Sequence, residues 1–221
     1  MTQPTPFANA TSAYRDGPPR QVPGFASLHR MSAMLLAEKA PRGRLLVLGA
    51  GGGLELEALA TFNPDWSFDG VDPSANMLKV AAETTAPYAD RIALHEGYIQ
   101  DAPDGPFDGA ICLLTFHFIT REDRLETLRQ IRRRLKPGAP FVLAHISFPQ
   151  AEPERSQWIA RHVAFGGTPP EHAEAAHQAI GTRLTILAPE EEEAMLAEAG
   201  FTGTTLFYAG LSFRGWVSCA G

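Results

Sequence analysis

The apolar residues of the chain form two patterns, short continuous runs and helical spacings, which alternate along the sequence. Residues 45–49 are a continuous run of apolar or small residues and predict a strand that is buried on both faces. Similar runs predict strands at 67–72, 91–97, 107–114 and 141–146, and helical spacings occur at 25–39, 54–60, 74–83 and 121–135. This alternation predicts an α/β fold, a parallel sheet with helices on both faces.

The two ends of the chain depart from this alternation. Residues 1–23 are rich in Pro, Thr, Ala and Gly and are expected to form a flexible N-terminal segment before a single domain at 24–221. Residues 149–188 contain helical pieces but no evident strand, and another helix is predicted at 190–199. The last two apolar runs are separated by an Ala-Gly pair and predict an antiparallel hairpin at 204–219.

Four glycines within five positions follow the first strand directly. They precede a helical pattern that begins at Leu54. Strand, glycine turn and helix form the opening unit of nucleotide-binding folds, in which glycines permit a ligand to approach the backbone closely. The spacing is not that of a dinucleotide motif, because Leu54 occupies the place of its third glycine, and no Lys-Ser/Thr pair marks a phosphate loop.

The second predicted strand ends in Asp72, which is followed by Pro73 and Ser74. A carboxylate at the end of this strand can accept hydrogen bonds from both hydroxyl groups of a ribose. The alternative is that Asp72 caps the helix that follows. Because the glycine turn precedes it, ribose binding is the favoured interpretation.

Composition and charge narrow the function classes. The chain has 221 residues, a formal net charge of −6 and two cysteines, Cys112 and Cys219, without metal-ligand spacing. The negative charge argues against a nucleic-acid partner, because surfaces that bind nucleic acid are normally basic. No apolar run is long enough to span a membrane and no signal peptide is evident, so we expect a cytoplasmic protein without a membrane partner or a bound metal.

Over residues 20–221, the sequence resembles the class I S-adenosylmethionine-dependent methyltransferases. The resemblance rests on segments 45–53, 70–77, 107–110, 134–143 and 198–201 and on the closing hairpin. It implies a Rossmann-like, seven-stranded, mostly parallel sheet with an antiparallel C-terminal hairpin strand and helices on both faces. It also implies S-adenosylmethionine as cofactor, methyl transfer to a small-molecule acceptor and a substrate lid at 149–188. A homodimer is a further expectation.

The resemblance implies cofactor contacts for particular residues of this chain. Asp72 would hold the ribose hydroxyl groups, and the glycine turn would pack against the ribose and methionine parts. Asp101 would accept a hydrogen bond from the adenine amine, or would instead cap a turn before Pro103. The full set of implied cofactor contacts is Phe25, Gly49, Ala50, Gly51, Asp72, Pro73, Met77, Tyr98, Ile99, Asp101, Leu113 and Leu114.

Two further features bear on catalysis and on cofactor affinity. His117 lies in the segment that faces the methyl group in the family and is the leading candidate for a catalytic base, with a packing role as its alternative. The family usually has an acid two residues before the first glycine, where it helps to hold the amino group of the cofactor, but here that residue is Val47. Glu55, in the following helix, is expected to point outward.

Four other residues are weaker candidates for a catalytic base. They are Tyr14, His29, His145 and His162.

Segments at 20–25, 114–119 and 196–207 also resemble carboxy-S-adenosylmethionine synthase. That enzyme modifies the methyl group of the cofactor with prephenate, for tRNA wobble-base modification. Phe25 and Leu113 replace cofactor-contacting Tyr and Asn residues of that subfamily, and the helix near the C-terminus has no arginine to pair with a substrate carboxylate. These differences favour a plain methyltransferase, and the alternatives are the synthase reaction or a cofactor-binding protein without turnover.

Overall fold

A computed structural model describes residues 16–221 of the chain. Seven strands form one sheet: β1 (Gly43–Leu48), β2 (Trp66–Asp72), β3 (Ile92–Glu96), β4 (Gly109–Leu113), β5 (Pro140–Ile146), β6 (Phe201–Gly210) and β7 (Phe213–Ala220). Their order across the sheet is β3-β2-β1-β4-β5-β7-β6. Strands β1 to β5 are parallel, and β7 runs antiparallel between β5 and β6. The predicted Rossmann-like sheet with its antiparallel hairpin strand is confirmed.

Helices cover both faces of this sheet. They are α1 (Gly17–Gln21), α2 (Phe25–Lys39), α3 (Leu54–Phe62), α4 (Ala75–Thr84), α5 (Arg121–Arg134), α6 (Glu154–Phe165), α7 (Pro170–Arg183) and α8 (Pro189–Glu198). Short 3-10 turns lie at Ala86–Arg91, Ile99–Asp101 and Phe116–Phe118. Within residues 16–221, no helix is both long and apolar enough to cross a membrane.

The side chains of β1 explain why its sequence is continuously apolar. Leu45 and Val47 enter one core together with apolar residues of α2, α3 and α6. Leu46 and Leu48 enter a second core, on the opposite face, with apolar residues of α5 and α8. A central strand of a parallel sheet is covered on both sides, so neither face of it can be polar. The position of β1 fixes the turn that follows it at the middle of the sheet edge.

The described part of the N-terminal segment, residues 16–23, contains a short helix. Within the expected flexible stretch 1–23, Gly17–Gln21 forms a helix that has prolines in its first turn, where the backbone amide needs no helical partner. The hydroxyl of Tyr208 donates a hydrogen bond to the backbone oxygen of Pro23 at 2.5 Å and joins this segment to β6. The base candidate Tyr14 lies outside the described residues.

The rotation of α3 differs from the prediction. The sequence predicted that Glu55 points outward, but Glu55 and Leu56 are buried, whereas Leu54 and Ala58 are only half-buried. The inward face of the helix therefore consists of Glu55 and Leu56 and, one turn later, of Leu59 and Ala60. This shift of one residue brings a carboxyl group into the interior of the molecule.

Candidate functional site

The turn after β1 has a backbone that requires glycine. Gly49, Gly51 and Gly53 have φ values of 77°, 47° and 83°, in the left-handed region that other residues rarely adopt. The amides of Gly49 and Ala50 both donate to the backbone oxygen of Val71, at 2.8 and 3.1 Å. The turn is thus bound to the end of β2.

The opposite side of the same turn lies against the residues after β4. A Cβ atom at Gly49 would come within 2.0 Å of Oγ1 of Thr115. The preceding residue, Leu114, has a φ of 57°, and its amide donates to the backbone oxygen of Ala144 at 2.6 Å. A left-handed leucine costs on the order of 1–3 kcal/mol and is typical of functional sites rather than of ordinary loops.

Asp72 occupies the end of β2 and makes two hydrogen bonds with backbone amides. Its Oδ2 atom accepts from Gly51 and its Oδ1 atom accepts from Ser74, both at 2.9 Å. Burial raises the pKa of Asp72, although the bonds from Ser74 and Gly51 act in the opposite direction. The N-cap of α4 is Ser74, whose hydroxyl accepts from the amide of Met77, so the interpretation of Asp72 as the N-cap is wrong.

These groups meet where the connections of the sheet change direction. The chain leaves β1 for β2 on one side, and β4 lies on the other side of β1. In open α/β sheets, ligands bind in the crevice at the carboxyl ends of the strands at this switch point. The glycine turn, Asp72, Leu113 and Leu114 all lie at that edge, as the sequence predicted.

The segment predicted to face adenine forms a short turn after β3. Tyr98 is exposed, Ile99 is buried, and Oδ2 of Asp101 accepts from the amide of Tyr98 at 2.9 Å. A Cβ at Gly97 would lie within 2.6 Å of the Asp101 side chain. Asp101 therefore caps this turn, which is the second of the two roles that the sequence left open, and an additional contact with a nucleotide stays a prediction.

The remaining implied cofactor contacts are spread around the crevice. Met77 is buried at the start of α4, and Pro73 is half-buried beside it. Phe25 begins α2 and packs edge-on against His29, with ring centroids 4.3 Å apart. His29 is buried, and burial lowers its pKa to about 4. The roles of these three implied contacts in cofactor binding stay predictions.

Glu55 is a site residue that the sequence interpretation placed wrongly. Its side chain is only 6% exposed, and its Oε1 atom has no hydrogen-bond partner. Burial raises the pKa of its carboxyl well above the usual range, while a hydrogen bond with the backbone of Leu113 lowers it. A carboxyl group from α3 therefore reaches the carboxyl end of β4. The sequence carried one indirect signal for this residue. Val47 stands where the family usually has an acid, so an acid at another position could take its place.

His117 lies in the 3-10 turn directly after β4. It is 5% exposed, and its Nδ1 atom accepts a hydrogen bond from the amide of Ile146 at 3.5 Å. Burial lowers the pKa of His117 well below its usual value, and the neighbouring His145, Arg124 and His162 lower it further. A lowered pKa favours the neutral ring, and a neutral ring that accepts at Nδ1 carries its proton on Nε2. This geometry favours the packing alternative, and a role as base stays a prediction.

A buried charge cluster that the sequence interpretation missed lies close to His117. Arg124 is fully buried and donates hydrogen bonds to Glu192, which is 1% exposed, and to the backbone oxygen of Thr185. Nε2 of His145 lies 3.5 Å from Oε1 of Glu192. Burial would raise the pKa of Glu192, but His145 and Arg124 lower it below the usual value. Because α5 carries several arginines, its sequence alone does not reveal which one is internal.

Comparison with known proteins agrees with this geometry. Residues 46–141 match the family model described as a methyltransferase domain. The carboxy-S-adenosyl-L-methionine synthase of Chromohalobacter salexigens is 27% identical over 90% of this chain and 77% of its own length. The demethylmenaquinone methyltransferase of Symbiobacterium thermophilum is 36% identical over 57% of this chain and 48% of its own length. A candidate O-methyltransferase of known structure from Nostoc punctiforme superposes with a TM-score of 0.69 at 21% identity, over 96% of this chain and 58% of that one.

Residues 46–141 form a methyltransferase domain by this match, and the fold is shared with S-adenosylmethionine-dependent methyltransferases of known structure. The cofactor is S-adenosylmethionine, which is bound in a solved structure of the same fold. Several relatives are matched over less than two thirds of their own length, so the comparisons do not identify the acceptor.

The crevice of this methyltransferase fits its cofactor. Each oxygen of Asp72 accepts one backbone bond and has further acceptor capacity, which suits the two hydroxyl groups of a ribose. Glu55 adds a second buried carboxyl group with an unpartnered oxygen. Two acidic side chains beside a glycine turn suit a ligand that carries positive charge, as the sulfonium and ammonium groups of S-adenosylmethionine do.

Helices α6 and α7 of the methyltransferase fall within the segment predicted to be a lid. The Trp158 ring stacks on Phe148 just beyond β5, with centroids 6.5 Å apart, and the Arg214 guanidinium lies 5.6 Å from its centre. Nδ1 of His162 lies 2.7 Å from the hydroxyl of Ser212. These contacts place α6 over the carboxyl end of β5, next to the crevice. Among the described residues, no cluster of His, Cys, Asp and Glu is arranged to hold a metal ion.

Proposed function

We propose that this protein transfers a methyl group from S-adenosylmethionine to a small-molecule acceptor. The observation that carries the proposal is the carboxylate of Asp72, which two backbone amides hold at the switch point of the sheet. The glycine turn beside it leaves no side chain between backbone and ligand at Gly49 and Gly51. A fixed acceptor for ribose hydroxyls and an open backbone surface are what a nucleoside cofactor requires.

The protein contributes alignment more than acid–base chemistry to such a reaction. When bound, S-adenosylmethionine supplies the activated methyl group. Asp72 and the glycine turn hold the nucleoside, and α6 covers the crevice and excludes water. A proton has to move only if the acceptor atom carries one. His117 is the proposed group for that step, and it would have to exchange its contact with Ile146 for one with the acceptor.

The proposal of a small-molecule acceptor rests on helix α6, which we place over the crevice. Helix α6 is held in the core by buried Ile159 and Val163 and by the stacking of Trp158 on Phe148, and we propose that it encloses the acceptor side of the crevice. An enclosed site suits a small molecule better than a folded macromolecule. The relative from Symbiobacterium thermophilum, which is named for demethylmenaquinone, supports a small acceptor as well. We propose the segment 149–188 as the substrate lid.

A second candidate is the carboxy-S-adenosylmethionine synthase reaction. The Chromohalobacter salexigens synthase aligns with 90% of this chain, which favours it. Phe25 and Leu113 stand where that subfamily has polar residues that contact the cofactor, and the acidic residues of α8 are occupied by contacts with α5 and β7, including Glu191 with Arg121 at 2.5 Å. The plain methyl transfer therefore remains the favoured proposal.

A product assay separates these candidates. The protein is incubated with methyl-labelled S-adenosylmethionine and a panel of phenols, quinols, amines and carboxylates, and products are identified by mass spectrometry. The expected result is a methylated acceptor together with S-adenosylhomocysteine. A carboxylated cofactor formed only with prephenate would support the synthase. Cofactor binding without any product would indicate a binding protein without turnover. The homodimer and the cytoplasmic location stay predictions from the sequence.

A further inference from the structure

Glu55 presents a buried carboxyl group whose partner is missing from the described protein. Its Oε1 atom has almost no contact with solvent and no hydrogen bond. A buried carboxylate is stable only when it is paired with a cation or with several donors. Within residues 16–221, no lysine, arginine or histidine forms an ion pair with Glu55.

The surroundings of Glu55 contain a second carboxyl group, that of Asp72, which also acts on the thiol of Cys112. The thiol of Cys112 in β4 has a raised pKa, caused by burial and by the negative charges of Glu55 and Asp72. Both carboxylates are therefore close enough to act on the same thiol. Leu113 offers a backbone hydrogen bond, and Thr115 contributes a hydroxyl group near Cys112. Neither Asp72 nor Glu55 forms an ion pair within residues 16–221, and two such carboxyl groups near one thiol favour the binding of a positive charge.

The location of Glu55 determines which part of the cofactor it can meet. Asp72 lies at the end of β2, on one side of β1, and Glu55 reaches Leu113 at the end of β4, on the other side. A nucleoside with its ribose on Asp72 that extended across the glycine turn would bring its amino-acid part towards the end of β4. Val47 is fully buried in the core and offers no charge at that point. Glu55 thus lies on the β4 side of the glycine turn, and Asp72 lies on the β2 side.

We propose that Glu55 binds the α-ammonium group of S-adenosylmethionine. The inference deepens the proposed function and rests on its cofactor site. An ammonium group donates hydrogen bonds and can satisfy the free Oε1 atom, whereas the sulfonium group is a cation without a donor. Glu55 thereby supplies, from α3, the negative charge that β1 lacks. It is a binding residue and takes no part in proton transfer to or from the acceptor.

Two nucleosides distinguish this role from a structural one. S-Adenosylhomocysteine keeps the ammonium group and lacks the sulfonium, and 5′-methylthioadenosine keeps the nucleoside and lacks the amino-acid part. By calorimetry, Glu55→Gln should weaken S-adenosylhomocysteine about 10- to 100-fold, the usual loss for a hydrogen bond to a charged group. The affinity for 5′-methylthioadenosine should not change. Glu57→Gln, on the exposed side of the same helix, should change neither affinity.

A second measurement uses the unmodified protein and does not depend on the folding of a variant. The free carboxyl group of Glu55 has a raised pKa and must ionise to pair with an ammonium group. Binding of S-adenosylhomocysteine should therefore release protons in mildly acidic buffer, as seen by calorimetry in two buffers of different ionisation enthalpy. Release should be smaller for 5′-methylthioadenosine.

The results for Glu55→Gln and for proton release test the role of Glu55, whereas binding by the unmodified protein tests the proposed function. Equal losses for both nucleosides in Glu55→Gln, unchanged affinity for S-adenosylhomocysteine, or equal proton release for the two ligands would overturn the assignment of Glu55. If the unmodified protein bound neither nucleoside, the proposed function itself would be overturned, and the inference with it.

Discussion

The amide of Gly51 donates a hydrogen bond to Oδ2 of Asp72 at 2.9 Å, and this bond joins the turn after β1 to the end of β2. The other carboxylate oxygen accepts from the amide of Ser74, which precedes α4. Because both donors are backbone amides, the orientation of the carboxylate is fixed by the fold and not by a mobile side chain. Gly51 and Asp72 therefore form one fixed unit, which we propose as the site for the ribose of the cofactor.

Replacement of Asp72 tests this unit. We expect Asp72→Ala to weaken the binding of S-adenosylhomocysteine by about 1.5–3 kcal/mol, the scale of lost hydrogen bonds to a charged group. Titration calorimetry measures the change, and far-UV circular dichroism checks the fold. Asp90→Ala, at an exposed position after α4, is the matched control and should leave the affinity unchanged. An unchanged affinity in Asp72→Ala would show that the ribose lies elsewhere.

The close approach of Gly49 to Thr115 predicts a strong effect of a single methyl group. A Cβ at Gly49 would meet Oγ1 of Thr115 at 2.0 Å, in addition to the cost of its φ of 77°. Gly138 has a similar φ of 76° but open space around it, so Gly138→Ala carries the backbone cost alone. We expect Gly138→Ala to lower the free energy of unfolding by about 1–2 kcal/mol and Gly49→Ala by clearly more, in urea denaturation. Equal losses would mean that the turn moves freely away from Thr115.

The buried pair of Arg124 and Glu192 should matter more than a similar pair on the surface. Arg124→Met leaves Glu192 buried without its main partner, and we expect a loss of about 3–5 kcal/mol in the free energy of unfolding. Arg133 pairs with Glu126 at 2.8 Å on the exposed side of the same helix, and Arg133→Met should cost about 0–1 kcal/mol. Urea denaturation of both variants provides the comparison. Similar losses in the two variants would contradict the internal role of Arg124.

Buried histidines make stability depend on pH. His29 has a pKa of about 4, caused by burial, against about 6.5 in an unfolded chain. The unfolded state thus binds more protons between these values, so stability is fully present above about pH 6.5 and falls as the pH decreases towards 4. The difference between these two pKa values corresponds to a contribution of about 3 kcal/mol from His29 to the free energy of unfolding above pH 6.5.

The contribution of His29 can be separated from that of other groups. His29→Leu should flatten the decline in the free energy of unfolding between pH 6.5 and 4 relative to the unmodified protein. His172→Gln, at an exposed position of α7, should leave the decline as it is. An unchanged slope in His29→Leu would show that the burial of His29 does not determine its protonation. Part of the decline remains in any case, because burial also lowers the pKa of His117 and His162.

The sequence was sufficient for the sheet and for the glycine turn. Continuous apolar runs such as that in β1 are required where both faces of a strand are covered, so they identify the central strands directly. The turn was recognisable because Gly49, Gly51 and Gly53 have backbone angles that few other residues adopt. Asp72 followed from its place at a strand end. Local patterns thus predicted where the glycine turn and Asp72 lie, and their contacts with a nucleoside stay a prediction.

Groups that depend on contacts between distant elements were not predictable in this way. Glu55 was expected to face solvent, because a rotation of α3 by one residue, about 100°, moves it between the solvent side and the core and leaves the apolar pattern nearly unchanged. Arg124 could not be told from the exposed arginines of α5, since its burial depends on α8, which lies far along the chain. The charged interior of the site is a property of packing and became visible only with the structure.

Calorimetric titration of the unmodified protein with S-adenosylmethionine and S-adenosylhomocysteine tests the central claim most directly. We expect both to bind with one molecule per chain and to compete for the same site, because each carries the ribose that Asp72 accepts and the ammonium group proposed for Glu55. Absence of binding by either compound at high micromolar concentration would contradict the assignment of the crevice as a cofactor site.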